Sequence, residues 1–97
     1  MSTTISSDGL PPRRKKMLWN AWHRGTKEMD ILLGEFADAR IAELSDADLA
    51  DLEALMEETD RDLFAWIVGS EPTPPARQTA VWAEFLAFHK DKHRPAA

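Results

Sequence analysis

The sequence predicts an all-α fold: a single compact five-helix domain with flexible N- and C-terminal tails. Three observations carry that prediction. Apolar residues recur at helical spacing, most clearly Met29, Leu32, Leu33 and Phe36 at i, i+3, i+4 and i+7. The 6 Pro and three of the 4 Gly fall outside the periodic stretches. No stretch alternates apolar and polar residues with period two, and no Asn-Gly hairpin signal occurs. A chain of 97 residues leaves room for one small core.

The elements follow in order. Residues 1–12 (MSTTISSDGLPP) are rich in Ser, Thr, Gly and Pro and read as a flexible tail, so the domain is expected over residues 13–90. The first helix begins near Pro12 or Arg13, where Pro is tolerated in an opening turn, and runs to about Arg24. Leu18 and Trp22, and Met17 and Ala21, give its apolar rows, with Trp19 at the edge. Gly25 stands where a helix stops in a left-handed turn, and Thr26 is the next N-cap. The second helix covers Lys27 to Ala39 or Ile41.

Ser45, with Asp48 three residues on, reads as a capping box, flanked by Leu44 and Leu49 as a hydrophobic staple. A third helix follows to about Met56, with Leu49, Leu52 and Met56 inward. Thr59 or Asp60 opens a fourth, in which Leu63, Trp66 and Ile67 form one face and Phe64 and Val68 widen it; Gly69 ends it. The segment SEPTPP (70–75) is a stiff connector. The fifth helix starts around Pro74 to Arg77 and reaches about Lys90. Val81, Phe85 and Phe88 form one of its stripes, and Trp82, Leu86 and His89 the next. Residues 91–97 read as a second tail.

Charge and composition exclude several function classes. Residues 1–27 carry a balance of +5, residues 28–71 one of −12, and residues 72–97 one of +2, giving the net −5. A chain this acidic is not expected to bind nucleic acid. Cysteine is absent, which removes disulfides, thiolate metal sites and cysteine nucleophiles. No apolar run is long enough to cross a bilayer, and no signal-peptide core is evident near Met1, so no membrane insertion and a cytoplasmic location are expected. His89 and His93 stand at i, i+4, but no third ligand accompanies them, so no metal site is expected. No phosphate-binding Gly-rich loop and no nucleophile–base constellation is visible. A small metal-dependent or hydrolytic enzyme is therefore disfavoured, and a small acidic helical adaptor or antitoxin-like regulator acting by protein–protein binding is one class that the chain suits.

The helix junction is the most informative segment. Arg24, Gly25 and Glu28 form R-G-x-x-E across it, and Arg24 and Glu28 are placed to pair across the turn. Trp19 and Trp22 precede it, and two large aromatics on one short helix leave one of them as an exposed anchor. In isolation the motif is weak. Its surroundings strengthen it: Arg24-Gly25-Thr26-Lys27-Glu28-Met29-Asp30 follows a basic, Trp-bearing helix, and Asp60-Arg61-Asp62-Leu63-Phe64-Ala65-Trp66 comes downstream.

Over about residues 13–90 this pattern resembles the FAD assembly factors of the SdhE family, relatives of the mitochondrial succinate dehydrogenase assembly factor. The resemblance implies a five-helix protein without enzymatic activity and without a cofactor of its own. It implies binding to the flavoprotein subunit of succinate dehydrogenase, and in bacteria often that of fumarate reductase, to promote covalent attachment of FAD. It further implies that Arg24, Gly25 and Glu28 lie at the flavoprotein contact; Trp22 and His23 are expected to join them, and a monomer is expected. A side chain at position 25 is expected to clash with the corner or with the partner.

Overall fold

A computed structural model describes residues 9–92. Residues 1–8 and 93–97, which make up most of the two expected tails and include His93, lie outside the described residues. The described residues form α1 (Pro12–Trp22), α2 (Lys27–Arg40), α3 (Asp46–Met56), α4 (Asp60–Val68), a 3-10 turn at Pro75–Arg77 and α5 (Ala80–Lys92). No strand occurs among them. Packing divides the chain into two units, one ending at Leu49 and the other beginning at Ala50, with α3 running through the division.

In the first unit α1 packs on α2. Pro12 opens α1 with its fixed φ and its missing N–H, which the first turn does not need. Met17, Leu18 and Ala21 are buried, as are Met29, Leu33, Phe36 and Ala37 of α2 and Ile41 beyond it. Leu32, expected in this stripe, is only half-buried. Arg14 ties the start of α1 to the end of α2. Its Nη1 donates to the Ile41 carbonyl at 2.7 Å, and its Nη2 reaches Asp46 Oδ1 at 3.4 Å. The carbonyls that end a helix lack intrahelical donors, so a cation there supplies both a hydrogen bond and a favourable charge. The Ser45 cap forms as expected, its Oγ accepting from Asp48 N–H at 3.1 Å, with Leu44 and Leu49 buried on either side.

In the second unit Leu52 and Leu55 of α3 are buried. Met56, expected inward, is the last residue of that helix and is half-buried at its end. Thr59 caps α4 by accepting from Asp62 N–H at 3.1 Å. Gly69 closes the helix in the left-handed conformation at φ +81°, where a β-carbon is disfavoured. Phe64 and Val68 were expected to widen the inner face. They are instead exposed, because they share a row roughly 100–140° round the helix from buried Leu63.

The last helix starts later than the sequence suggests. Pro75–Arg77 forms a separate 3-10 turn, and Thr79 is the true N-cap of α5, its Oγ1 accepting from Trp82 N–H at 3.2 Å. Asp91 and Lys92 belong to α5 and not to a tail. Val81, Trp82, Phe85 and His89 are buried along it, whereas Leu86 and Phe88 are half-buried. Trp82 stacks on Phe85 at 5.4 Å and receives the edge of Trp66 at 6.2 Å. Arg77 Nε donates to Glu58 Oε2 at 2.6 Å, fastening the 3-10 turn to the residues that follow α3.

Candidate functional site

The corner between α1 and α2 occupies His23 to Thr26. The first helix stops two residues before the expected Arg24. His23 is its C-cap at φ −128° and ψ 52°, with its N–H on the Asn20 carbonyl. Ending there strands the Trp19 carbonyl, and the His23 ring repairs the loss: Nδ1–H donates to that oxygen at 2.6 Å. A carbonyl can only accept, so the proton sits on Nδ1. The same geometry lays the imidazole flat against the Trp19 indole, 3.8 Å between centroids and 12° from parallel.

Gly25 then turns the chain at φ +120°, a region open to Gly at little cost. Thr26, extended at φ −121° and ψ 146°, caps α2 by accepting from Met29 N–H at 3.3 Å. The corner is closed by a residue the sequence did not single out. Asp30 reaches back from the first turn of α2, and its Oδ1 accepts from the backbone N–H groups of both Arg24 and Gly25, the latter at 3.1 Å. One carboxylate oxygen thus satisfies two donors and places negative charge where the helix dipole favours it. Pairing across the turn was expected from Glu28; the acid that closes the turn is Asp30.

The five expected site residues cluster here, but they differ in exposure. His23, Gly25 and Glu28 are exposed, while Trp22 and Arg24 are half-buried. An ideal Cβ built on Gly25 meets nothing within 4 Å. The expected clash of a side chain with the corner itself therefore does not arise; only the positive φ opposes substitution from within the chain.

Trp22 is seated beneath the corner, against α2. Its Nε1–H donates to Asp38 Oδ1 at 3.3 Å, and Asp38 is itself buried. Its six-membered ring lies directly over Gly34, where a Cβ would come within 2.2 Å of Trp22 Cδ2. Gly34 is thus a slot for an indole. The signal for it was present in the sequence, since an isolated Gly inside a helical pattern implies close approach of a neighbour. Of the two tryptophans the exposed one is Trp19, at 61%.

Among the described residues no group of three or more His, Asp or Glu could hold a metal ion, and no helix is long and apolar enough to cross a membrane. The downstream D-x-D-L-x-x-W stretch builds the start of α4: Asp60 and Asp62 stand in its first turn, Leu63 is buried and Trp66 packs on Trp82.

These features define a small helical protein whose distinctive surface is a rigid, charged corner. Residues 15–89 match the family described as "flavinator of succinate dehydrogenase", and the chain belongs to that family. The FAD assembly factor SdhE of Acetobacter pasteurianus is 36% identical over 75 residues, covering 77% of this chain and 69% of that protein. The mitochondrial succinate dehydrogenase assembly factor 2 of Dictyostelium discoideum is 38% identical over 82 residues, covering 84% of this chain and 57% of that protein. The factor of the same name from Mycosarcoma maydis is 36% identical over 92 residues, covering 94% of this chain and 37% of its own length. The chain thus spans little more than half, or less, of these two mitochondrial relatives.

Proposed function

We propose that this chain is an assembly factor that binds the flavoprotein subunit of succinate dehydrogenase and promotes its covalent flavinylation with FAD. The observation that carries this reading is the family match, which runs through the whole corner. The docking surface is Arg24, Gly25 and Glu28, with His23 and Trp22 beside them. The factor contributes no catalytic residue and carries no cofactor of its own; FAD belongs to the flavoprotein. It acts as a monomer in the cytoplasm, and the flavoprotein subunit of fumarate reductase is a second client.

A helper that does no chemistry must bind one state of its client better than another. The corner suits that task. The backbone at Arg24 and Gly25 is pinned by Asp30, so the guanidinium fork and the Glu28 carboxylate emerge from a fixed base. Binding then costs little conformational entropy. In this reading the two charged groups grip the flavoprotein near its flavin site and hold its mobile cap domain in the pose from which attachment proceeds.

The test is deletion of the gene, complementation with variants, and in-gel fluorescence of covalent flavin. Gly25→Arg should abolish flavinylation while circular dichroism shows the helices intact. There is space for a Cβ at Gly25, and the strain of a positive φ costs only on the order of 1–3 kcal/mol. Glu28→Ala should weaken assistance without loss of fold. Full covalent flavin with Gly25→Arg would refute the docking surface.

A further inference from the structure

We infer that the outer face of α1 is a second part of the docking surface, built for an acidic protein surface that accepts one aromatic anchor. The inference rests on the functional reading above and names the chemistry of the partner's side of the contact. Lys15, Trp19, His23, Lys16 and Asn20 are all exposed. At about 100° per residue they occupy one arc of roughly 140°. The opposite arc of α1, with Met17, Leu18 and Ala21, is buried.

Charge identifies the occupant. Residues 9–27 contain six Lys or Arg and neither Asp nor Glu, in a chain of net charge −5. Four of the six, Arg13 to Lys16, lie on α1, the helix that leads into the corner, and Lys15 and Lys16 stand on its exposed arc. A surface of opposite sign is drawn to such a patch, accelerating encounter and fixing orientation. In the middle of the patch stands an indole that is 61% exposed yet held in place by its stack on His23. The His23 ring is itself anchored on the Trp19 carbonyl. A large aromatic held rigid before binding is the kind of side chain that dominates interface energies.

The observations favour protein over lipid or nucleic acid. A helix that lies in a bilayer surface buries a broad apolar face, and the apolar face of α1 is already covered within the chain. A nucleic-acid surface would be repelled by the residues that follow, since residues 28–71 carry a balance of −12.

The experiment measures binding of the full chain to the purified flavoprotein subunit across a salt series, for wild type, Lys15→Glu/Lys16→Glu and Trp19→Ala. All three positions are exposed, so circular dichroism should be unchanged. The charge reversal should weaken binding about tenfold or more at low salt and flatten the salt dependence. Trp19→Ala should weaken it about tenfold with the salt dependence retained. Wild-type affinity and salt slope in both variants, with wild type still promoting flavinylation, overturn this inference and leave the functional reading standing. Failure of wild type to bind the subunit overturns both. Lysine-dependent sedimentation with phosphatidylcholine/phosphatidylglycerol vesicles, together with unaltered flavoprotein binding by the variants, overturns it in favour of a lipid surface.

Discussion

Replacing Asp30 with Ala separates the shape of the corner from its charge. The wild-type carboxylate accepts two backbone N–H groups, those of Arg24 and Gly25. A hydrogen bond to an ionised group contributes about 1.5–3 kcal/mol when its loss leaves a partner dry. Here Gly25 is exposed and Arg24 half-buried, so both N–H groups regain water. The combined loss is then about 1–3 kcal/mol, with the first-turn charge adding a few tenths. Most of that falls on the corner and little on the helices, whose buried residues are untouched. Amide hydrogen exchange reads the local loss directly: Arg24 and Gly25 should exchange roughly 5- to 150-fold faster, while Met29, Leu33 and Phe36 keep their protection. Covalent flavin in the complemented deletion strain should fall several-fold although Arg24, Gly25 and Glu28 are all present. Asp30→Asn keeps an acceptor oxygen and should retain most of both properties. Unchanged exchange at Arg24 and Gly25 in Asp30→Ala, or undiminished flavin, would refute the idea that this carboxylate holds the working conformation.

Two further outcomes follow from packing. Gly34→Ala drives a methyl into the Trp22 ring, so the variant should lose about 1–3 kcal/mol in urea unfolding and show a shifted tryptophan emission as the indole leaves Asp38; wild-type stability and spectrum would contradict it. Phe85→Ala removes a side chain that is 1% exposed and touches Trp82 and His89, and should cost about 3–5 kcal/mol in thermal or urea unfolding, with less than 1 kcal/mol counting against the packing described.

The sequence disclosed the local rules well. Thr26, Ser45 and Thr59 cap helices where a hydroxyl followed by a periodic stretch said they would, because an N-cap depends on only four residues. Gly69 and the row Met29, Leu33 and Phe36 were legible for the same reason. What stayed hidden depends on the third dimension. Thr79 was masked by the prolines before it, which suggested an earlier helix start than the 3-10 turn allows. Phe64 and Val68 have the right spacing for an inner face, but spacing does not say which side of a short helix is covered. At the site, the motif residues were readable from their types and order. Asp30 was not, since its role lies in a bond back to the chain five and six residues earlier. Which tryptophan would be exposed was only half readable, because the isolated Gly34 signals the close approach of a neighbour without saying which one.

The missing methyl at Gly34 has an evolutionary consequence. Positions 22 and 34 behave as a single locus although twelve residues separate them. Enlarging position 34 first creates a collision, and shrinking position 22 first leaves a hole and removes the indole N–H that Asp38 accepts. Descendants that abandon this pair must therefore change both residues nearly together, and a paired Trp22→Leu/Gly34→Ala exchange should be milder than the sum of its halves.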